Sequence, residues 1–328
     1  MLIDRYGRSI TYLRVSVTDR CNLRCVYCMP PEGIQRLSHA SIMRYEEIVT
    51  VVRAAAEAGI NKVRITGGEP LVRAGLPGLV RMIAAVPGIQ DISLTTNGLL
   101  LNRMAEALKE AGLTRINVSL DTLIPEKFSR ITRGGRFETV WQGLEAAERL
   151  GLNPIKINVV AMRGVNEDEM TDLARLSIEH DWHVRFIELM PVNNQQPWGA
   201  GFPDPSNIYL SIPEIKKALD PLGLFPLMGH LNDGPAREYQ LKDGKGRIGF
   251  ISPLSEHFCQ QCNRLRLTAD GNFRPCLLQD LEIPFLEALR AGEPVLPYIQ
   301  QAIDSKPSGH ELFQNHLPAG RCMMQIGG

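Results

Sequence analysis

Apolar positions recur at helical spacing in five stretches of the first two-thirds of the chain. Ile48, Val51, Val52, Ala55 and Ala56 share a face that ends at Gly59, and Leu76, Leu79, Val80 and Ile83 one that ends at Pro87-Gly88. Leu101, Met104, Ala105 and Leu108 run out at Gly112, and Val140, Leu144 and Ala147 at Gly151. A fifth face holds Met170, Leu173, Ala174 and Ile178. Steps of three and four put such residues on one side of a helix, and glycine suits the turn that stops it. Each helix leads into a strand-like run: Lys62–Thr66, Asp91–Thr96, Arg115–Leu120, Ile155–Ala161 and Val184–Glu188. With Tyr12–Thr18 that makes six strands alternating with helices, which predicts a parallel sheet.

The strands are not uniformly apolar, as a sheet covered on both faces requires. Polar residues alternate along them: Arg14, Ser16, Thr18; Lys62, Arg64, Thr66; Asp91, Ser93, Thr95; Arg115, Asn117, Ser119; Lys156, Asn158. Side chains alternate across a strand, so each set faces one way while its apolar neighbours pack under helices. The pattern predicts an α/β fold of the incomplete (β/α)6 TIM-barrel type with a wet, charged interior. Lys62, Asp91 and Arg115 are expected at the solvated strand starts. Thr66, Thr95, Ser119, Arg14, Arg64 and Lys156 are expected to line the cavity, whose ligands bind at the carboxyl ends of the strands.

Residues 191–211 are rich in proline, asparagine and glycine and read as a linker. The expected division is therefore 1–210 for the barrel and 211–328 for a smaller α+β domain. In the latter, Ile212–Leu219 reads as a helix, Arg247–Ile251 and Arg264–Thr268 as strands, and Ala269–Asn272 as a hairpin turn. Prolines break the helical pattern between Leu281 and Ile303 into pieces, and 306–328 has little periodicity.

Composition narrows the chemistry. The 328 residues carry 36 Lys plus Arg against 36 Asp plus Glu, so no electrostatic footprint for nucleic acid or anionic lipid is expected. Charges among the first twenty residues and the absence of a long apolar run predict a cytoplasmic protein without a membrane span. Six of the seven cysteines fall in two trios, Cys21, Cys25, Cys28 and Cys259, Cys262, Cys276, which argues for reduced thiols rather than disulfides. Three thiolates are one short of the set that closes a 4Fe–4S cubane, leaving one iron open for chemistry. Gly67-Gly68-Glu69-Pro70, just after a strand, lets backbone approach a ligand closely.

Cys21-x3-Cys25-x2-Cys28 with Tyr27 before the third cysteine, followed by that Gly-Gly-Glu-Pro, resembles the radical S-adenosylmethionine superfamily. Thr95-Thr-Asn-Gly98, Ile116–Asp121, Lys156-Ile-Asn158, Arg185–Met190, Asn232–Pro235, Phe258–Arg266 and the terminal Ile326-Gly-Gly328 extend the likeness to the GTP 3′,8-cyclase family of molybdenum cofactor biosynthesis. The resemblance implies a lyase that converts GTP to 3′,8-cyclo-7,8-dihydro-GTP. It implies a 4Fe–4S cluster on Cys21, Cys25 and Cys28 and a second on Cys259, Cys262 and Cys276. Tyr27, Gly68, Ser119 and Met190 match positions that contact S-adenosylmethionine. Arg14, Arg64, Thr95, Lys156, Arg264 and Arg266 match positions that bind GTP, with Arg264 and Arg266 also candidates for the catalytic step. A flavodoxin- or ferredoxin-like electron donor, a downstream cyclic pyranopterin monophosphate synthase and a homodimer are further implied partners, and the Gly-Gly tail is implied to enter the active-site channel.

Two other readings stand beside this one. A zinc or iron–sulfur protein without catalysis could join Cys25-x2-Cys28 to Cys259-x2-Cys262 in one tetrahedral site, with about one zinc in place of roughly eight irons. Another radical enzyme with an auxiliary cluster could act on peptides, which calls for a groove rather than a cationic pocket. The remaining residues suggest less. Cys322 reads as a small buried hydrophobe, His257 as a loop histidine, and Arg133-Gly-Gly-Arg136 as a weak phosphate-loop signal.

Overall fold

The computed structural model describes residues 1–192, 198–227, 234–310, 312, 318 and 320–327. Its frame is a twelve-stranded sheet. Strands β1 (Tyr12–Ser16), β2 (Lys62–Thr66), β3 (Asp91–Thr96), β4 (Arg115–Ser119), β5 (Ile155–Ala161) and β6 (Trp182–Glu188) run parallel, each beside the next. Helices α1 (Tyr45–Glu57), α2 (Leu76–Ala84), α3 (Leu101–Glu110), α5 (Phe137–Arg149) and α6 (Met170–Glu179) fall where the periodicity puts them. A further helix, α4 (Pro125–Thr132), precedes α5; its apolar face is only Phe128 and Ile131, too short to register as a period.

The later strands continue the same sheet at both edges. After α7 (Ile212–Leu219) come β7 (Leu224–Pro226), β8 (Arg237–Leu241) and β9 (Arg247–Ile251), and β9 pairs parallel with β6. At the other edge β10 (Arg264–Leu267) pairs parallel with β1, and β11 (Asn272–Arg274) returns antiparallel to it across the expected turn. A two-residue strand, β12 (Ile283–Pro284), and helices α8 (Leu286–Arg290) and α9 (Leu296–Asp304) complete the described elements. No described ladder joins β9 to β10, so the barrel stays open there, and the chain between them, with Cys259 and Cys262, runs along that seam.

Packing follows strand parity. Leu13, Val15, Val63, Ile65, Ile116, Val118, Ile155 and Ile157 are fully buried beneath the helices. Their neighbours Arg14, Arg64, Asn117, Lys156 and Arg185 are also buried, on the opposite face. One expectation fails: Arg115 is not at a solvated strand start but buried and ion-paired with Asp91. Asp91 on β3 lies two residues before Ser93, the register partner of Arg115 on β4, so its carboxylate meets the guanidinium diagonally across the two strands. No helix among the described residues is long and apolar enough to cross a membrane.

Glu188 fastens the end of β6 to the chain beyond it. Its fully buried carboxylate accepts from the backbone amides of Leu254 (2.9 Å), Ser255 (3.0 Å) and Ile212 (3.2 Å) and from the Tyr209 hydroxyl (3.0 Å). Glu188→Ala leaves these buried donors unmet, and a loss of about 3 kcal/mol in unfolding free energy is expected in urea titration. A loss under about 1 kcal/mol would remove Glu188 from this role.

Candidate functional site

Two cavities meet in the barrel. At the mouth, beyond the carboxyl ends of the strands, Cys21, Cys25, Cys28, Tyr27, Gly68, Thr66, Thr95, Ser119, Asn158 and Met190 line one. All four residues matched to S-adenosylmethionine contacts thus share a cavity with the first cysteine trio. The second cavity is lined by Cys259, Cys262, Cys276, Arg264, Arg266, Lys306 and again Met190, so the two adjoin. Cys262 precedes β10, and Cys276 follows β11, which runs back along it. The second trio therefore lines a cavity that reaches from the start of β10 to Met190, beyond the carboxyl end of β6. Among the described residues no group of close ligand atoms joins Cys25 and Cys28 to Cys259 and Cys262, which leaves the single tetrahedral zinc site without support.

The first cysteine loop is held from several sides. Val26 N donates to Ile131 O (2.9 Å) and Arg24 N to Thr132 O (3.1 Å), which ties the loop to the end of α4. Arg133, read in the sequence as part of a weak phosphate loop, instead donates to the carbonyls of Arg24 (2.9 Å) and Met29 (2.8 Å). The Tyr27 hydroxyl donates to Asp121 (2.8 Å). Gly68 N reaches Thr18 O and Glu69 N reaches Arg20 O, both at 2.8 Å. A Cβ on Gly68 would stand 2.4 Å from Arg20 O, which explains the glycine there. Glu69 accepts from Asn97 N (2.6 Å) and the Thr96 hydroxyl (2.7 Å), and burial pushes its carboxyl up to about 7.

The donor set suits a metal cluster. Burial raises all three thiols of the first trio, Cys25 strongly and Cys28 to about 12, and the cysteines repel one another's charge. Three crowded thiolates need a positive centre to form. In the second trio burial likewise raises Cys276. Cys262 is opposed by burial, but the Arg264 and Lys306 cations overcome it and hold the thiol at about 6. None of the seven cysteines is in a disulfide. Cys322 is buried as expected, against Met29 and Met324. His257 is an exposed loop histidine, as expected, and lies beside the second trio: its ring, His310 and the Cys259 thiol offer ligand atoms within 4.8 Å of one another.

Between the trios lies a cationic interior. Arg14 pairs in register with Arg64 on one side and Arg266 on the other. Lys156 and Arg185 stand on the neighbouring strands β5 and β6. Burial, then Arg185, Arg115 and Arg64, press Lys156 down to about 6. Burial, then Arg64 and Arg115, bring Arg185 to about 9, and burial with Arg264 does the same for Arg266. Thr95 Oγ1, Asn117 Oδ1, Asn158 Oδ1 and Arg185 Nη2 are buried without a hydrogen-bond partner among the described residues, as the lining of a polar ligand cavity would be. Sequence reasoning passed over Arg185 as a ligand residue; a charge between the apolar Val184 and Phe186 was the available signal. The tail reaches this interior: Arg266 Nη1 donates to Gly327 O (2.9 Å), and Gly327 packs against Thr66 and Ser16. Gly328 lies outside the described residues, as do positions 232 and 233 of the Asn232–Pro235 motif.

Residues 15–177 match the model of the Radical SAM superfamily, and residues 182–312 that of Molybdenum Cofactor Synthesis C. The chain is 52% identical to the GTP 3′,8-cyclase of Pelotomaculum thermopropionicum over 99% of both chains. It is 48% identical to that of Alkaliphilus metalliredigens, again over 99% of each. Among solved structures, Streptococcus suis SuiB bound to precursor peptide SuiA superposes with a TM-score of 0.64 at 12% identity, covering 98% of this chain and 77% of that one. That likeness concerns the fold, a partial barrel with a C-terminal extension. The identity to the cyclases, sustained over nearly the whole length, is of another order: the chain belongs to the GTP 3′,8-cyclase family of radical SAM enzymes.

Proposed function

We propose that this chain converts GTP to 3′,8-cyclo-7,8-dihydro-GTP, the first step of molybdenum cofactor biosynthesis, as a two-cluster radical SAM lyase. The observation that carries the reading is the placement of two cysteine trios in adjoining cavities of one cationic barrel interior. In this reading Cys21, Cys25 and Cys28 hold a 4Fe–4S cluster, and Cys259, Cys262 and Cys276 a second. Residues 1–210 then form the cofactor half and 211–328 the half that completes the substrate chamber. With one iron open, the first cluster would supply the electron that cleaves bound S-adenosylmethionine.

The remaining work belongs to the side chains. Tyr27, Gly68, Ser119 and Met190 surround the cofactor position, and Met190 also faces the second cavity. Arg14, Arg64, Lys156, Arg185 and Arg266 present cations to the triphosphate, where planar guanidinium forks suit phosphate oxygens. Arg264 and Arg266, the register partners of Tyr12 and Arg14, connect that anion site to the second trio. Thr95 and Asn158 offer unsatisfied oxygens to the nucleoside. Met323 and Met324 lie over the mouth and keep water from the reacting atoms. A flavodoxin- or ferredoxin-like donor and a cyclic pyranopterin monophosphate synthase complete the proposal on the supply and product sides. Peptide modification fits less well, because a crowded cationic chamber favours a small polyanion.

Anaerobic incubation with S-adenosylmethionine and a strong reductant should give 5′-deoxyadenosine that depends on GTP; formation independent of GTP would defeat the reading. Gly68→Ala should weaken S-adenosylmethionine binding at least about tenfold in equilibrium dialysis while far-ultraviolet circular dichroism stays unchanged, since the new Cβ displaces the Arg20 carbonyl. Lys156 gives a pH signature. Its pKa is about 6 without an anion, below the ordinary lysine value, and a bound triphosphate raises it. Above pH 6 GTP binding therefore takes up a proton, and affinity falls as pH rises toward the bound-state pKa. Calorimetry at pH 7.5 in buffers of different ionisation enthalpy should register uptake in the natural chain and less in Lys156→Met. Equal uptake in both would contradict the assignment.

A further inference from the structure

Lys306 follows α9 and is buried, with 2% of its surface exposed. Its ammonium donates to Arg264 O at 2.7 Å, to Pro275 O at 2.8 Å and to Cys262 Sγ at 3.9 Å. An ammonium has three protons, so this set uses its full donor capacity. The acceptors are not a random trio. Arg264 O lies two residues past Cys262, and Pro275 directly precedes Cys276. One buried cation thereby spans the two chain segments that carry these cysteines, and touches one of the sulfurs itself.

The residues after Lys306 hold the third cysteine. Arg8 Nη1 donates to Cys259 O (2.8 Å) and Arg8 Nη2 to Pro307 O (2.6 Å), while Arg8 Nε is anchored on buried Asp4 (2.6 Å). Gly309 packs against Cys259, where a Cβ would lie 3.9 Å from its sulfur. The segment 306–309 is therefore in contact with all three cysteine segments, although its sequence contains no ligand motif. Carbonyls at the ends of β10 and β11 would repel one another at this spacing without a cation between them, and a thiolate here needs the same charge.

We propose that Lys306 is a positioning residue of the second cluster: it fixes the Cys262 and Cys276 segments at cluster-binding spacing, and its N–H···S bond to Cys262 raises the reduction potential of whatever cluster they hold. This rests on the reading that Cys259, Cys262 and Cys276 bind a 4Fe–4S cluster. A cation and a hydrogen bond at a coordinating sulfur favour the reduced, more negative state. Lys306→Gln keeps a donor of lesser reach and no charge. Lys306→Met keeps the apolar stem alone.

The test uses the full chain, reconstituted anaerobically with iron and sulfide. Each substitution is made in the natural sequence and in a Cys21→Ala/Cys25→Ala/Cys28→Ala background, which isolates the second cluster. In that background, Lys306→Gln should retain about four irons per chain. At a fixed solution potential its ratio of reduced to oxidised cluster, read by electron paramagnetic resonance, should fall about tenfold, equivalent to about 59 mV for one electron. Lys306→Met should lose most of that iron while the first cluster of the otherwise natural chain keeps its spectrum. Should Lys306→Met fail to fold, the Lys306→Gln potential decides alone. A Lys306→Gln cluster with the natural potential and spectrum overturns the proposal. If the background chain with Lys306 intact binds no iron, the assignment of the second cluster has failed, whatever Lys306 does.

Discussion

Like charges packed together in a protein interior repel each other in a medium that screens them poorly, and this barrel concentrates them along its axis. Arg14, Arg64, Lys156, Arg185 and Arg266 are all buried, and each has its protonated form disfavoured by burial and by at least one of its cationic neighbours. Desolvating one such group costs several kcal/mol unless something compensates. Asp91 serves that purpose for Arg115, at one edge of the group. The rest of the chamber is built for a charge that arrives with the ligand. The fold tolerates it because the opposite faces of the same strands bury uninterrupted Val, Ile and Leu against the helices.

Sheet geometry turns that chamber into a reaction vessel. Parallel strands deliver the cysteine loop and the Gly-Gly-Glu-Pro turn to the carboxyl-terminal mouth, where ligands of such folds bind. The antiparallel return of β11 along β10 brings Cys276 back beside the segment that carries Cys262. Arg264 and Arg266 on β10 stand beside Tyr12 and Arg14 on β1, so the route from one trio to the other is lined by cations in register. Gly327, held by Arg266 and packed on Thr66, brings the C-terminal segment against the same interior.

Much of this was legible because it is periodic or local. Alternation alone placed Arg14, Arg64 and Lys156 inside the barrel, and glycine-stopped helical faces located α1, α2, α3 and α5. The cysteine spacings by themselves point to two metal sets. What escaped was held by contacts between distant segments. Lys306 and Arg8 act on backbone carbonyls, which every residue possesses, so no side-chain pattern in the sequence betrays them. Arg133 binds the cysteine loop in the same way from a left-handed turn that resembled a phosphate loop. Arg115 looked like a strand opener because its partner Asp91 lies on the neighbouring strand, twenty-four residues earlier.

The central claim is that buried cations make this interior a receptor for a polyanion. Calorimetric titration of the anaerobically reconstituted protein with GTP and with guanosine compares ligands that share a base and ribose and differ in the triphosphate. Two charge-assisted phosphate contacts at about 2 kcal/mol each amount to roughly a thousandfold tighter binding of GTP, and that is the predicted result. Equal affinity for the two would mean that the arginines and the lysine serve some other end, and the account would fail.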